Sequence, residues 1–234
     1  METFAPQFEK ILEQLCSSQV SELPIADLQT AGHRDLDQIW KWRATIPAAI
    51  DLTAHRIIAQ NVAQYLHSPE ICACDGHWTY QELDSITNQI AIGLVSDSFG
   101  PNAATIPIYF EKSRWTPVAM LAVMKADYTS VILDTTLPLS RLEAIVREVD
   151  PPVILSSLAN LELAEGLIDQ QVIMLCEETL RSSDAPSTQV LPTVKASANL
   201  SLVFTSGSTG TPKAAMIPHS NFSSAIYHQQ AATG

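Results

Sequence analysis

A chain of 234 residues with 46% hydrophobic and 16% charged side chains can bury a substantial core, as one large domain or two small ones, and is not a disordered composition. Lys plus Arg number 13 against 25 Asp plus Glu, and the resulting formal charge of −12 argues against general affinity for nucleic acid or anionic lipid. Cys16, Cys72, Cys74 and Cys176 form no zinc-ligand spacing and suit a reducing compartment. No basic region followed by an apolar run opens the chain, and no stretch approaches the ~18–20 apolar residues that span a bilayer. A cytoplasmic protein with no membrane partner and no metal site is expected.

Residues 1–48 read as a leader. Phe4, Phe8, Ile11, Leu12 and Leu15 recur at helical spacing, and Leu36, Ile39 and Trp40 mark a second short helix that ends before Pro47. Trp40 and Trp42 are read as packing surface. Residues 49–234 then alternate helix with strand. Ala54 to Leu66 is a helix, and Asp75-Gly76 turns a hairpin between Glu70–Cys74 and His77–Tyr80. Ile71-Cys72-Ala73-Cys74 is expected as a buried strand. Thr79 and Glu82 form a capping box for a helix striped by Leu83, Ile86, Ile90 and Leu94.

Thr105 to Phe110 is the next strand, and Thr116-Pro117 is expected to open the following helix. Ser130 to Leu133 is a strand, and Ser140 with Glu143 is a second expected capping box. Pro152–Leu155, Gln171–Leu175 and Leu200–Phe204 complete the strands, and Arg181 to Ala198 reads as a loop. Strands separated by helices predict an α/β fold, a largely parallel sheet with flanking helices.

The chemistry gathers after the last of these strands. Leu200 to Phe204 runs into Thr205, Ser206, Gly207, Ser208, Thr209, Gly210, Thr211, Pro212 and Lys213. Two glycines let the backbone approach a ligand without a Cβ in the way, and successive amides in such a turn make an anion nest. Hydroxyls and one lysine complete a site for polyphosphate. It is not a Walker loop, because Pro212 precedes Lys213 and no Ser or Thr follows it. Composition alone favours a solvated Gly/Ser/Thr loop or linker, and the abrupt start from an apolar strand with the return to Ala214-Ala215-Met216-Ile217 brings the two readings about level.

Phe204 to Lys213 resembles the phosphate-loop motif of the adenylate-forming superfamily, with Ala214 where that family usually has glycine. Trp78 to Asp84 is similar to the family's first core motif. Phe110 to Trp115 with Ala119 to Ala126 is similar to the second, in its peptide-synthetase form. There the family carries glycine where this chain has Asp127, at the negative end of a helix dipole and without glycine's freedom for a left-handed cap. Residues 33–47 resemble the linker that joins a condensation domain to an adenylation domain.

The resemblance implies the N-terminal part of a nonribosomal peptide synthetase adenylation domain, which activates an amino acid as aminoacyl-AMP. It implies ATP, with magnesium, held by Thr205, Ser206, Gly207, Ser208, Thr209, Gly210 and Lys213, and other synthetase domains as partners. The family's amino-acid pocket, ribose aspartate, acidic metal ligand and catalytic lysine lie on later motifs, and no catalytic residue and no phosphopantetheine site is expected within residues 1–234. These residues alone are therefore expected to be inactive. The alternatives are a non-catalytic scaffolding or interaction fragment of a peptide synthetase, and a relative of the acyl-CoA ligases.

Overall fold

The structure, a computed structural model, describes residues 4–16, 31–44, 46–97, 99, 104–182, 190–205 and 213–233. The chain divides into two compact units, Met1–Ala48 and Ala49–Gly234. The first holds two helices, α1 (Phe4–Cys16) and α2 (His33–Arg43). The Gly32 amide donates to Asp35 Oδ2 at 2.8 Å and closes the first turn of α2. The Lys10 amine donates to the carbonyl of Ala31 at 3.1 Å. Within this unit no residue of α2 is buried, and the Trp40 and Trp42 rings are exposed.

The second unit opens with α3 (Ala54–Tyr65), the hairpin β1 (Pro69–Ala73) and β2 (Gly76–Thr79), and α4 (Tyr80–Ser96). It continues through β3 (Thr105–Tyr109), α5 (Trp115–Lys125), β4 (Thr129–Ile132) and α6 (Leu139–Val149). After β5 (Val153–Ser156) come a 3-10 turn at Leu158–Asn160, α7 (Leu161–Leu167), β6 (Gln171–Met174) and α8 (Glu177–Ser182). It ends with β7 (Asn199–Thr205), β8 (Lys213–Pro218) and α9 (His219–Thr233). Six strands form one sheet in the order β6-β5-β3-β4-β7-β8, parallel except for the β7/β8 pair.

Period-2 alternation sends neighbouring side chains to opposite faces, so each central strand serves two cores. Ile106 and Ile108 of β3, with Val153 and Leu155 of β5, pack with Leu83, Ile90 and Leu94 of α4 and with Val118, Leu121 and Ala122 of α5. Tyr109 of β3, Val131 of β4 and Ile154 of β5 lie in the other core, with Leu142, Ile145 and Val146 of α6 and Ala164 of α7. Helices therefore cover both faces of a mostly parallel sheet, the α/β architecture that alternating helix and strand predicts.

Local signals explain several boundaries. Thr79 caps α4 as expected: its hydroxyl accepts from the Glu82 amide at 3.3 Å while its own amide donates to Glu82 Oε2 at 2.9 Å. The Asp75-Gly76 turn forms, with Gly76 at φ 136°, and a Cβ there would stand 2.6 Å from Arg114 Nη1. Arg114 occupies that space because its guanidinium lies 4.2 Å from the Trp78 ring centre and pairs with Glu177, while its amide donates to both Asp75 oxygens.

Three expectations are corrected. Thr116 is not the cap of α5; the helix starts at Trp115, whose amide donates to Ser113 Oγ at 3.3 Å, while the Thr116 hydroxyl donates back to the Glu111 carbonyl. Ser140 does not cap α6, because the amides of Arg141 and Leu142 already bond the carbonyl of Pro138, one turn earlier. Cys72 and Cys74 are exposed rather than buried, since among the described residues β1 pairs only with β2, in a two-stranded ribbon.

Asp127 takes the left-handed conformation, φ 61°, just past α5. Tyr128 N–H donates to Val123 O at 3.1 Å and Asp127 N–H to Met124 O at 3.4 Å, a Schellman closure with Asp at the position glycine usually fills. Burial holds its carboxyl above the ordinary range, partly offset by the Lys195 charge. Asp127→Gly removes both the left-handed strain and a negative charge from the helix C-terminus. Its higher unfolded-state entropy offsets part of the gain, and a net stabilisation of about 1 kcal/mol is expected. A urea midpoint equal to or below that of the wild type contradicts this.

Candidate functional site

The segment that resembles a phosphate loop follows β7 in sequence, and β7 is fastened to β4 by small residues. Ser130 faces Ser201 across the parallel pair; the Ser130 hydroxyl donates to the Leu200 carbonyl at 3.0 Å and the Ser201 hydroxyl to the Ser130 carbonyl at 3.1 Å. Both serines are buried, and each hydroxyl has its partner. On the other side β8 returns antiparallel, pairing Leu202 with Met216, Val203 with Ala215, Phe204 with Ala214 and Thr205 with Lys213. The last pair is the neck of the segment, and the Thr205 hydroxyl also donates to the Lys213 carbonyl at 3.3 Å.

Of the candidate ATP contacts, Thr205 is the final residue of β7 and Lys213 the first of β8. Ser206, Gly207, Ser208, Thr209 and Gly210 lie outside the described residues. Lys213 is exposed and makes no ion pair with any described residue. Ala214, in the position of the family's glycine, lies in the extended strand opposite Phe204 and carries no positive φ, so its methyl group introduces no left-handed strain. The neck sits at the carboxyl end of β7, beside the carboxyl ends of the parallel strands, where open α/β sheets place ligands.

One charged residue at the neck lies outside the sequence motif. The Arg141 Nη2, from the first turn of α6, donates to the Thr205 carbonyl at 3.4 Å. Nothing in one-dimensional spacing links positions 64 apart; the only local signal was the false capping box around Ser140.

Elsewhere along the same edge, Glu111 after β3 accepts from Ser157 Oγ at 2.6 Å and Asn160 Nδ2 at 2.8 Å. A cavity of about 750 Å³ opens at the ends of β3 and β4, lined in part by Phe110, Lys112, Leu133 and Asp134. At the far end of the β8 strand, the ring of His219 is 1% exposed and its Nδ1 accepts from the Ala54 amide at 3.2 Å, tying the exit of the hairpin to the start of α3. Burial lowers its pKa to about 4. His55, 5.4 Å away between ring centres and edge-on, is lowered to about 4 by burial and by the charges of His219, Lys125 and Arg56.

Among the described residues no group of three His, Cys, Asp or Glu side chains is placed to hold a metal ion, and no helix is long and apolar enough to cross a membrane. The described part of the neck joins a free cation, a hydroxyl and a guanidinium at the carboxyl edge of a sheet. Such a group suits a polyanion.

The family model for AMP-binding enzymes matches residues 58–233. The chain belongs to the AMP-binding enzyme family. Its curated relatives include the nonribosomal peptide synthetase ungA' of Aspergillus campestris, 45% identical over 205 residues that are 88% of this chain and 2% of that protein. The N-benzoylphenylalaninol synthetase apmA of Penicillium brevicompactum is 35% identical over 224 residues, 96% of this chain and 9% of that one. The chain therefore spans only a small part of the length of these relatives.

Among solved structures, VinN in complex with L-aspartate superposes with a TM-score of 0.70 at 21% identity, over 80% of this chain and 54% of that one. The peptide synthetase FmoA3, in a form bound to alpha-methyl-L-serine-AMP, gives 0.73 at 14% identity over 97% and 26%. These likenesses carry the fold. Together with the synthetase relatives they identify the AMP-binding segment here as matching the N-terminal part of a peptide-synthetase adenylation domain.

Proposed function

We propose that these residues form the triphosphate-holding part of an adenylation domain that activates an amino acid for nonribosomal peptide synthesis. The observation that carries this reading is the hydrogen-bonded neck, which sets Thr205 opposite Lys213, a lysine without an ion pair among the described residues, at the carboxyl edge of the sheet. In the reaction the amino-acid carboxylate oxygen bonds to the α-phosphorus of ATP, the bond from that phosphorus to the bridging oxygen breaks, and pyrophosphate leaves with aminoacyl-AMP as the other product. Thr205, Ser206, Gly207, Ser208, Thr209, Gly210 and Lys213 would hold the β- and γ-phosphates, and Lys213 would offset charge on the leaving pyrophosphate. Magnesium would accompany the nucleotide, with the family's acidic metal ligand on the later motifs.

Amino acids are favoured over aryl or fatty acids because relatives at 36–45% identity include nonribosomal peptide synthetases. Residues 1–48, with α1 and α2, are assigned as a leader of the kind that connects a condensation domain to an adenylation domain, and the site of action is the cytoplasm. Residues 1–234 by themselves are expected to bind the triphosphate without activating a carboxylate, because groups that bind the transition state more tightly than the substrate lie, in this family, on later segments.

In an adenylation domain carrying these residues, Lys213→Ala is expected to lower kcat/KM for ATP about 10–100-fold, the equivalent of about 1.5–3 kcal/mol for a charge-assisted phosphate contact. The assay is amino-acid-dependent exchange of pyrophosphate into ATP at subsaturating ATP. Exchange at the wild-type rate removes Lys213 from the site.

A further inference from the structure

We propose that Arg141 is a positioning residue for the phosphate-binding neck: it holds Thr205 by its carbonyl and sets a second positive charge at the residue that faces Lys213. This rests on reading the neck as a phosphate site. The geometry is a chain of contacts. Arg141 Nη2 donates to Thr205 O at 3.4 Å, Thr205 Oγ1 donates to Lys213 O at 3.3 Å, and Thr205 and Lys213 are register partners. One guanidinium thus fixes the end of β7 from outside the sheet, while β8 fixes it from within.

The arm that carries Arg141 is itself rigid. Before α6, Asp134 Oδ1 accepts from both the amide and the hydroxyl of Thr136, at 2.8 and 2.7 Å, and the Arg141 amide donates to Pro138 O at 2.9 Å. Leu142, Ile145 and Val146 anchor the helix in the core on that face of the sheet. A cation on a packed helix loses less freedom on meeting an anion than one on a mobile arm. The guanidinium has five N–H donors, and its bond to Thr205 uses one of them, so donors remain for phosphate oxygens. In a chain with a formal charge of −12, a triphosphate needs local cations, and one lysine is a thin counterweight for it.

The test is calorimetric titration of residues 1–234 with inorganic tripolyphosphate at low salt. Arg141→Gln is expected to weaken binding about 10-fold, and Arg141→Lys to recover it to within about threefold of the wild type, with thermal midpoints close to wild type in both. Arg141→Met keeps the packing of the stem and repeats the test should the glutamine variant fail to fold; the same 10-fold loss is expected. Binding by Arg141→Gln or Arg141→Met within about twofold of the wild type overturns the proposal, as does a lysine variant no better than glutamine. A wild-type chain that binds no tripolyphosphate overturns the reading of the neck and this inference with it, whereas tight wild-type binding indifferent to Arg141 overturns the inference alone.

Discussion

Lys125→Ala is expected to destabilise the second unit by about 3 kcal/mol, read as a lower urea midpoint. Lys125 closes α5 and is only 7% exposed, yet its amine donates to Asp84 Oδ1 at 2.7 Å, Thr87 Oγ1 at 2.8 Å and Asn88 Oδ1 at 2.8 Å. All three acceptors lie on α4, so this one cation joins the two helices that cover a face of the sheet. Burial lowers its pKa and the Asp84 carboxylate opposes that shift, so the charge is retained by its partner.

Removing the amine takes the Lys125 donor from Asp84 Oδ1 and from the amide oxygen of Asn88, while Asn88 Nδ2 still donates to Asp84 Oδ2 at 3.1 Å, and the lost stem opens a space between α4 and α5. Asp84 retains some contact with water, which holds the loss near the low end for a broken buried pair. The combined change Lys125→Met with Asp84→Asn keeps volume while removing both charges, and should recover most of the loss. A single-variant loss below about 1 kcal/mol would show that the pair contributes little beyond its packing.

The second unit is also expected to lose stability as pH falls from about 6.5 to about 4, with His219 and His55 both contributing. The folded protein holds the ring neutral, with a pKa of about 4, whereas the unfolded chain takes a proton near 6.5. Above pH 6.5 both states are neutral and nothing is lost. Between the two values the unfolded state binds the proton and the folded state does not, so stability falls; below about 4 both are charged and the loss levels off.

The size is about 2–3 kcal/mol for His219, with His55 adding in the same direction. A charged His219 also cannot accept from the Ala54 amide, because Nδ1 then carries a proton. His219→Asn keeps an acceptor at that position but does not titrate. Urea midpoints at pH 7.5 and 4.5 should differ less for this variant than for the wild type. Equal acid losses in both would remove His219 as the cause.

Much of the architecture was legible because the signals were local. The Asp75-Gly76 turn and the Thr79 and Glu82 capping box act within four residues, and strand alternation in Ile106, Ile108 and Phe110 reports a face directly. Competition between nearby signals defeated the rest. Thr116-Pro117 has the chemistry of a helix start, but Ser113 supplies an acceptor to the Trp115 amide one residue earlier. Ser140 and Glu143 have capping-box spacing, but the Pro138 carbonyl takes the first helical amides.

β8 was not anticipated as a strand, since Lys213-Ala214-Ala215-Met216 offers little β-branched character; pairing with β7 supplies what local propensity lacks. At the neck, the motif singles out Thr205 and Lys213, and nothing in it points to Arg141. Its contact joins α6 to β7, and sheet order, not sequence, brings those elements together. The ties of Lys125 and His219 are long-range in the same sense, 41 and 165 residues from Asp84 and Ala54.

Hydrogen–deuterium exchange of residues 1–234, with and without magnesium ATP, tests the central claim most directly because it locates the nucleotide on the chain. Slower exchange is expected in peptides spanning the end of β7, the start of β8 and the first turn of α6, with no change in the β1/β2 hairpin. The protection should disappear in Lys213→Ala at the same ATP concentration. ATP that protects other segments while peptides across Thr205 and Lys213 exchange as in the free chain would contradict the assignment of the triphosphate to this neck.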